Sequence, residues 1–113
     1  MRMRKPKFII KPADGVVVCI LEDTAFDLVR DMNLPSTMPL EFMEMFVISD
    51  QYKGVARLHE GDTWDEEFGK KLAFEKAYMK YKAAKVKKLE KVKNVLVDTA
   101  AALKDIIIAI EKD

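Results

Sequence analysis

Residues 64–113 read WDEEFGKKLAFEKAYMKYKAAKVKKLEKVKNVLVDTAAALKDIIIAIEKD, with no proline and Gly69 as the only glycine. A stretch so free of breakers predicts helix, which if unbroken would extend roughly 75 Å at about 1.5 Å per residue. Thr63 and Glu66 stand at capping-box spacing, with Trp64 in the first turn. Asp65, Glu66 and Glu67 set negative charge against the positive helix end. Farther along, Leu89, Val92, Leu96, Thr99, Leu103, Ile106 and Ile110 alternate by three and four, the a and d positions of three heptads. Val95, Val97, Ala100, Ile107 and Ile108 widen that stripe beyond a two-stranded seam. Two architectures satisfy the pattern. The chain breaks near Lys91–Asn94 and folds back, or the helix projects and pairs with a copy of itself. No glycine or proline enforces a turn there, which favours a homo-oligomer with Leu89, Val92, Leu96, Leu103, Ile106 and Ile110 at its interface.

Upstream the chain reads as β-rich. Lys7–Ile10 and Gly15–Leu21 are apolar or β-branched runs around Pro12-Ala13-Asp14-Gly15, a hairpin signal. The density of Val16, Val17, Val18 and Ile20 predicts a strand covered on both faces. Between Asp23 and Met32, the residues Ala25, Leu28, Val29 and Met32 recur at helical spacing. Asp23, Asp27 and Asp31 fall on the opposite, wet face, with Thr24 and Asp27 as a capping pair. Asn33–Pro39 is loop, and Phe42–Ile48 with Gly54–His59 forms a second hairpin around Ser49–Lys53. Gly61-Asp62 ends the last strand. The expected fold is therefore α+β: one domain, 1–113, with a small antiparallel sheet in residues 1–62 and a long or two-part helix in 63–113.

Composition narrows the function classes. Twenty basic and nineteen acidic side chains leave a net charge of +1, so no global field advertises nucleic acid or lipid. The charge is nonetheless segregated: residues 1–12 carry +5, residues 13–67 carry −10, and Lys76–Lys93 carries +7. No apolar run is long enough to span a membrane, and the opening MRMRKPKFII lacks a signal-peptide core. A single cysteine, Cys19, excludes an internal disulfide and fits a reducing cytoplasm. Cys19 lies within VVVCILE, where it reads as a small buried hydrophobe, and His59 is the lone histidine. A Cys19/His59 nucleophile pair is thus disfavoured, and no acid–base pair is visible. Glu60, Asp62, Asp65, Glu66 and Glu67 lack calcium-loop spacing. The expectation is a non-enzymatic protein without metal or cofactor.

Lys76, Lys80, Lys87 and Lys91 interleave with Tyr78 and Tyr81, residue types that hold phosphates and stack bases. The lysines fall on every helix face, so extended nucleic acid is not favoured, whereas a compact anion needs only two or three of them. Gly54-Val55-Ala56-Arg57, followed by Asp62, Trp64-Asp65 and Gly69-Lys70-Lys71-Leu72-Ala73, resembles a strand–acidic-loop–helix segment of small bacteriophage and prophage proteins. The likeness spans roughly residues 54–77. Leu58 and Trp64 depart from it, since a cysteine and a phenylalanine are more usual. It implies a phage accessory protein, some of which are counter-defence factors that block a host protein or sequester a nucleotide signal. In physical terms the segment is a joint between sheet and helix: Gly69 permits close crossing, and Phe68, Leu72 and Ala73 cover the sheet. The leading expectation is capture of an anionic ligand, such as a cyclic nucleotide, at a pocket shared between subunits in the host cytoplasm. Arg57, Lys70 and Lys71 would supply charge, and Trp64, Tyr78 and Tyr81 a stacking surface. The alternatives are inhibition of a host protein by an acidic face (Asp23, Asp27, Asp31, Glu41 and Glu44) and nucleic-acid binding through the lysine helix.

Overall fold

The computed structural model describes residues 5–33 and 37–113. Arg2 and Arg4 of the basic opening, and residues 34–36 within the Asn33–Pro39 loop, lie outside the described residues. Strands β1 (Lys7–Lys11) and β2 (Val16–Glu22) form the expected hairpin across a short 3-10 turn, Pro12–Asp14. Gly15 closes that turn at φ +63°, a left-handed conformation that favours glycine. Helices α1 (Asp27–Asp31) and α2 (Leu40–Glu44) follow, each five residues long. Strand β3 (Gln51–Arg57) then pairs antiparallel with β2, giving the sheet order β1-β2-β3. The rest is one helix, α3 (Glu66–Lys112). The molecule is α+β and measures 77 × 29 × 18 Å, its length set by α3. No helix among the described residues is long and apolar enough to cross a membrane.

Alternation explains why the sheet accepts the helix on one face. Register sets Phe8 opposite Cys19 and Ile10 opposite Val17 on one side of β2, with Gly54 and Ala56 opposite the same two residues on the other. These same-facing positions meet Ala73 and Ala77 of α3 in the main core. Gly54 permits the closest approach: a Cβ there would overlap the Ala73 carbonyl oxygen and the Ala77 amide nitrogen. Gly69 sits against Val17, whose Cγ2 would lie 2.8 Å from an added Cβ. Gly69, Ala73 and Ala77 recur every four residues, so one helix face carries the contact. The opposite sheet face is less covered than the valine density predicts: Ile20 is buried, but Val16 and Val18 are half-exposed. As an edge strand, β3 carries outward carbonyls. Lys76 Nζ donates to Val55 O at 3.1 Å and Lys80 Nζ to Lys53 O at 3.0 Å, which blocks strand addition along that edge.

Several expectations are corrected. The second hairpin does not form, because Phe42 belongs to α2 and Phe46 turns into a second small core with Leu28 and Val92 of α3. An apolar run without period-2 alternation was free to follow that packing instead. The helix expected over Asp23–Met32 is only Asp27–Asp31, and Thr24 does not cap it. The buried Thr24 hydroxyl instead donates to Ser49 O at 2.6 Å, closing the base of the 23–50 excursion. The cap of α3 is Asp65, whose carboxylate accepts from Phe68 N–H at 3.1 Å, so Thr63 and Glu66 do not form the capping box. Trp64 accordingly precedes the first turn, though it still packs on the main core. Phe68 is 63% exposed and does not cover the sheet.

The helix does not break at Lys91–Asn94. Leu89 and Val92 pack within their own chain, Val92 being 5% exposed, and what remains open of them lines a groove at the base of the exposed half of α3. From Lys93 onward every residue of α3 is exposed to solvent.

Candidate functional site

Where β3 ends, the chain must turn to start α3 across the sheet. Leu58 N–H donates to Gly15 O at 2.7 Å, and the His59–Asp62 turn closes when Asp62 accepts from His59 N–H at 3.1 Å. The turn leaves a cleft of about 600 Å³ between the strand end and the first turns of α3. Its floor is Val17, Ala56 and Leu72, and Trp64 and Phe68 stand along it. Arg57, His59 and Lys76 border it with Asp62 and Asp65. Both acids already accept backbone N–H groups. Lys76 spends one of its three N–H donors on Val55 O.

The structure divides the six sequence-selected ligand residues between separate places. Arg57 and Trp64 share the cleft. Lys70 lies outside it, 3.6 Å from both Glu66 and Glu67 and 5.8 Å over the Phe8 ring. Lys71 is exposed and does not line the cleft. Tyr78 stacks on Phe74, with ring centres 5.7 Å apart, and Lys82 Nζ lies over the Tyr78 ring, 5.4 Å from its centre. Tyr81 is buried and belongs to a different cluster. Missing from the sequence reading were His59 as a border residue, Lys76 as a specific cation, and the small-residue seam of Gly54, Ala73 and Ala77. The last was legible as paired small residues on a strand and at i, i+4 of the helix.

That second cluster takes Asp27 and Asp31 out of the expected acidic face and leaves Asp23, Glu41 and Glu44 exposed. Tyr81 Oη donates to Asp27 Oδ2 at 2.7 Å, and Lys85 Nζ meets Asp31 Oδ2 at 2.7 Å. Lys85 also lies 4.7 Å over the Tyr81 ring. Asp27 and Asp31 therefore fasten α1 to α3. Burial, reinforced by the hydrogen bond to Asp27, pushes the Tyr81 hydroxyl up to about 12. Burial alone would lower the Lys85 pKa, but the bonds to Asp31 and Tyr81 outweigh it and raise it. Both shifts are upward, so the stability they carry is complete below the unfolded values of 10.0 and 10.5 and is lost as pH rises through the folded ones. Thermal unfolding between pH 9 and pH 12, about the window these shifts define, should show a steep alkaline loss that Tyr81→Phe makes shallower. An identical slope in the variant would remove Tyr81 from that role.

Cys19 is fully buried opposite Gly54, and burial pushes its thiol up, away from the reactive thiolate. His59 is exposed beyond the end of β3. No group of three or more His, Cys, Asp or Glu side chains suited to a metal occurs among the described residues. Comparisons with family models, curated proteins and solved structures found no match.

Proposed function

We propose that this chain is a non-enzymatic binding protein that holds a small anionic ligand of nucleotide type in the cleft at the β3–α3 junction. One observation carries the reading: Trp64 and two cations, Arg57 and Lys76, border a single apolar-floored cleft of about 600 Å³. That volume lies within the usual range for small-molecule sites. A flat base would lie along Trp64, and phosphate oxygens would accept from Arg57 and the remaining Lys76 donors. Each cleft is built by one chain, so a pocket shared between subunits is not required. The likeness of residues 54–77 to phage proteins suggests the purpose, sequestration of a nucleotide signal in the host cytoplasm. Neither alternative gains a specific observation. The acidic face has lost Asp27 and Asp31 to α3, and within the lysine run Lys80 is engaged by the Lys53 carbonyl and Lys85 by the Asp31 carboxylate.

Titration calorimetry with cyclic mono- and dinucleotides tests this, with the unphosphorylated nucleosides as controls. At least one nucleotide should bind and be recovered unaltered. Arg57→Ala, an exposed substitution, should weaken that nucleotide about ten- to a hundredfold, as loss of a charged hydrogen bond does. Absence of heat with every nucleotide, or equal affinity for the nucleosides, would remove the proposal.

A further inference from the structure

The far half of α3 exposes an apolar stripe that continues the face by which its near half docks. Leu96, Leu103, Ile106 and Ile110 are 45%, 56%, 55% and 67% exposed. A surface of this kind marks an interaction site. At its inner end lies an apolar groove of about 550 Å³, lined by Met32, Phe46, Leu89, Val92 and Leu96. Groove and stripe form one surface, and its charges indicate the occupant.

We infer that the occupant is the same segment of a second copy, running antiparallel about a two-fold axis at Ala101, with its Ile106 and Ile110 seated at the groove. Around that axis Val92 falls level with Ile110, Leu96 with Ile106 and Thr99 with Leu103. Each a position meets a d position, as antiparallel packing of a heptad stripe requires. The charges obey the same symmetry: Glu90 falls level with Lys112, Lys91 with Glu111, and Asp98 with Lys104. No two like charges between residues 89 and 113 share a level. Ala100, Ala101 and Ala102 at the centre keep side chains small where the axes cross. A parallel pair in register would oppose every charge to its own copy and set the two lysine-rich runs, Lys76–Lys93, side by side. In the antiparallel pair the two Lys85 residues stand about 48 Å apart along the axis, well beyond a Debye length of about 8 Å. The two sheets then occupy opposite ends of the assembly, and each cleft remains complete within its own chain.

Sedimentation equilibrium at about ten micromolar should give twice the chain mass of 13.0 kDa. Ile106→Lys acts twice across the two-fold and should raise the dissociation constant about a hundredfold, whereas Met32→Glu at the exposed groove edge should raise it about tenfold. Trp64 fluorescence reports whether each variant keeps its head folded. A spin label at Asp113→Cys distinguishes orientation, because Cys19 is buried and unreactive. The antiparallel pair sets the labels roughly 36 Å apart along the axis, and a parallel one brings them within about 20 Å. A monomer at ten micromolar, a short label distance, or a dimer indifferent to Met32→Glu would each overturn the inference.

Discussion

Gly54→Val is expected to detach α3 from the sheet, at a cost of about 3 kcal/mol or more, the upper end of what overpacking inflicts. A Cβ at this position meets main-chain atoms, the Ala73 carbonyl oxygen and the Ala77 amide nitrogen. Backbone in the middle of a helix has no alternative rotamer, so relief requires lifting the helix. Lifting it uncovers Cys19, Val17, Ala56, Ala73 and Ala77 together, since they form one cluster. Gly69→Ala supplies the contrast. Its added Cβ meets Val17 alone, Cγ2 at 2.8 Å and Cβ at 3.5 Å, so one buried β-branched side chain must shift but no main-chain atom stands in the way. Replacing a helical glycine also returns about 1 kcal/mol of propensity. The two substitutions should therefore differ in urea midpoint when followed by Trp64 fluorescence, with Gly69→Ala clearly the milder. Equal, small effects would mean that α3 does not cross β3 at Gly54.

Phe46→Ala should cost about 3–5 kcal/mol, the usual toll for emptying a buried aromatic site. The ring is 2% exposed and stands edge-on to Phe42 at 5.4 Å. With Leu28 and Val92 it makes up the buried part of the second core, the attachment of the 23–50 excursion to α3. So short an excursion, with two five-residue helices, has little else to hold it: Thr24 closes its base, and Asp27 and Asp31 reach Tyr81 and Lys85. The cavity should weaken those polar contacts as well. Hydrogen exchange is the informative readout, at one fixed protein concentration because association adds to apparent stability. Amides of Thr24, Ile48 and Met32, which donate to Asp50, Ala25 and Leu28 carbonyls, should lose protection, while those of β2 facing β3 retain theirs. Uniform loss across the chain would show that the two cores unfold as one.

Much of this architecture could be read from residue order. The β1–β2 hairpin followed from the turn chemistry at Asp14-Gly15, and the long helix from the lack of breakers after Trp64. The helix start was displaced because Thr63 and Asp65 are both competent caps. Their local chemistry is nearly equivalent, and Trp64 packing on the sheet core decides between them. Residues 42–48 misled for a related reason. Their apolar density marks burial, but the partner, Val92, lies far along the chain and draws them off the sheet. The polarity of Asp27 and Asp31 suggested a wet face because Tyr81 and Lys85 approach only in three dimensions. The candidate site was legible in part. Arg57 and Trp64 flank one loop and meet in the cleft, whereas Lys70, Lys71, Tyr78 and Tyr81 follow the helix around to other faces.

Both functional proposals depend on α3 as one rigid rod whose near half completes the head and whose far half extends away from it. The most direct measurement is the distance between spin labels at Glu75→Cys and Lys104→Cys in one chain, diluted into unlabelled protein so that only intramolecular pairs contribute. An unbroken helix sets the two backbones roughly 44 Å apart at about 1.5 Å per residue. A distance near that value is the expected result. A distribution centred below about 20 Å, the span of a helix doubled back at Lys91–Asn94, would contradict the account.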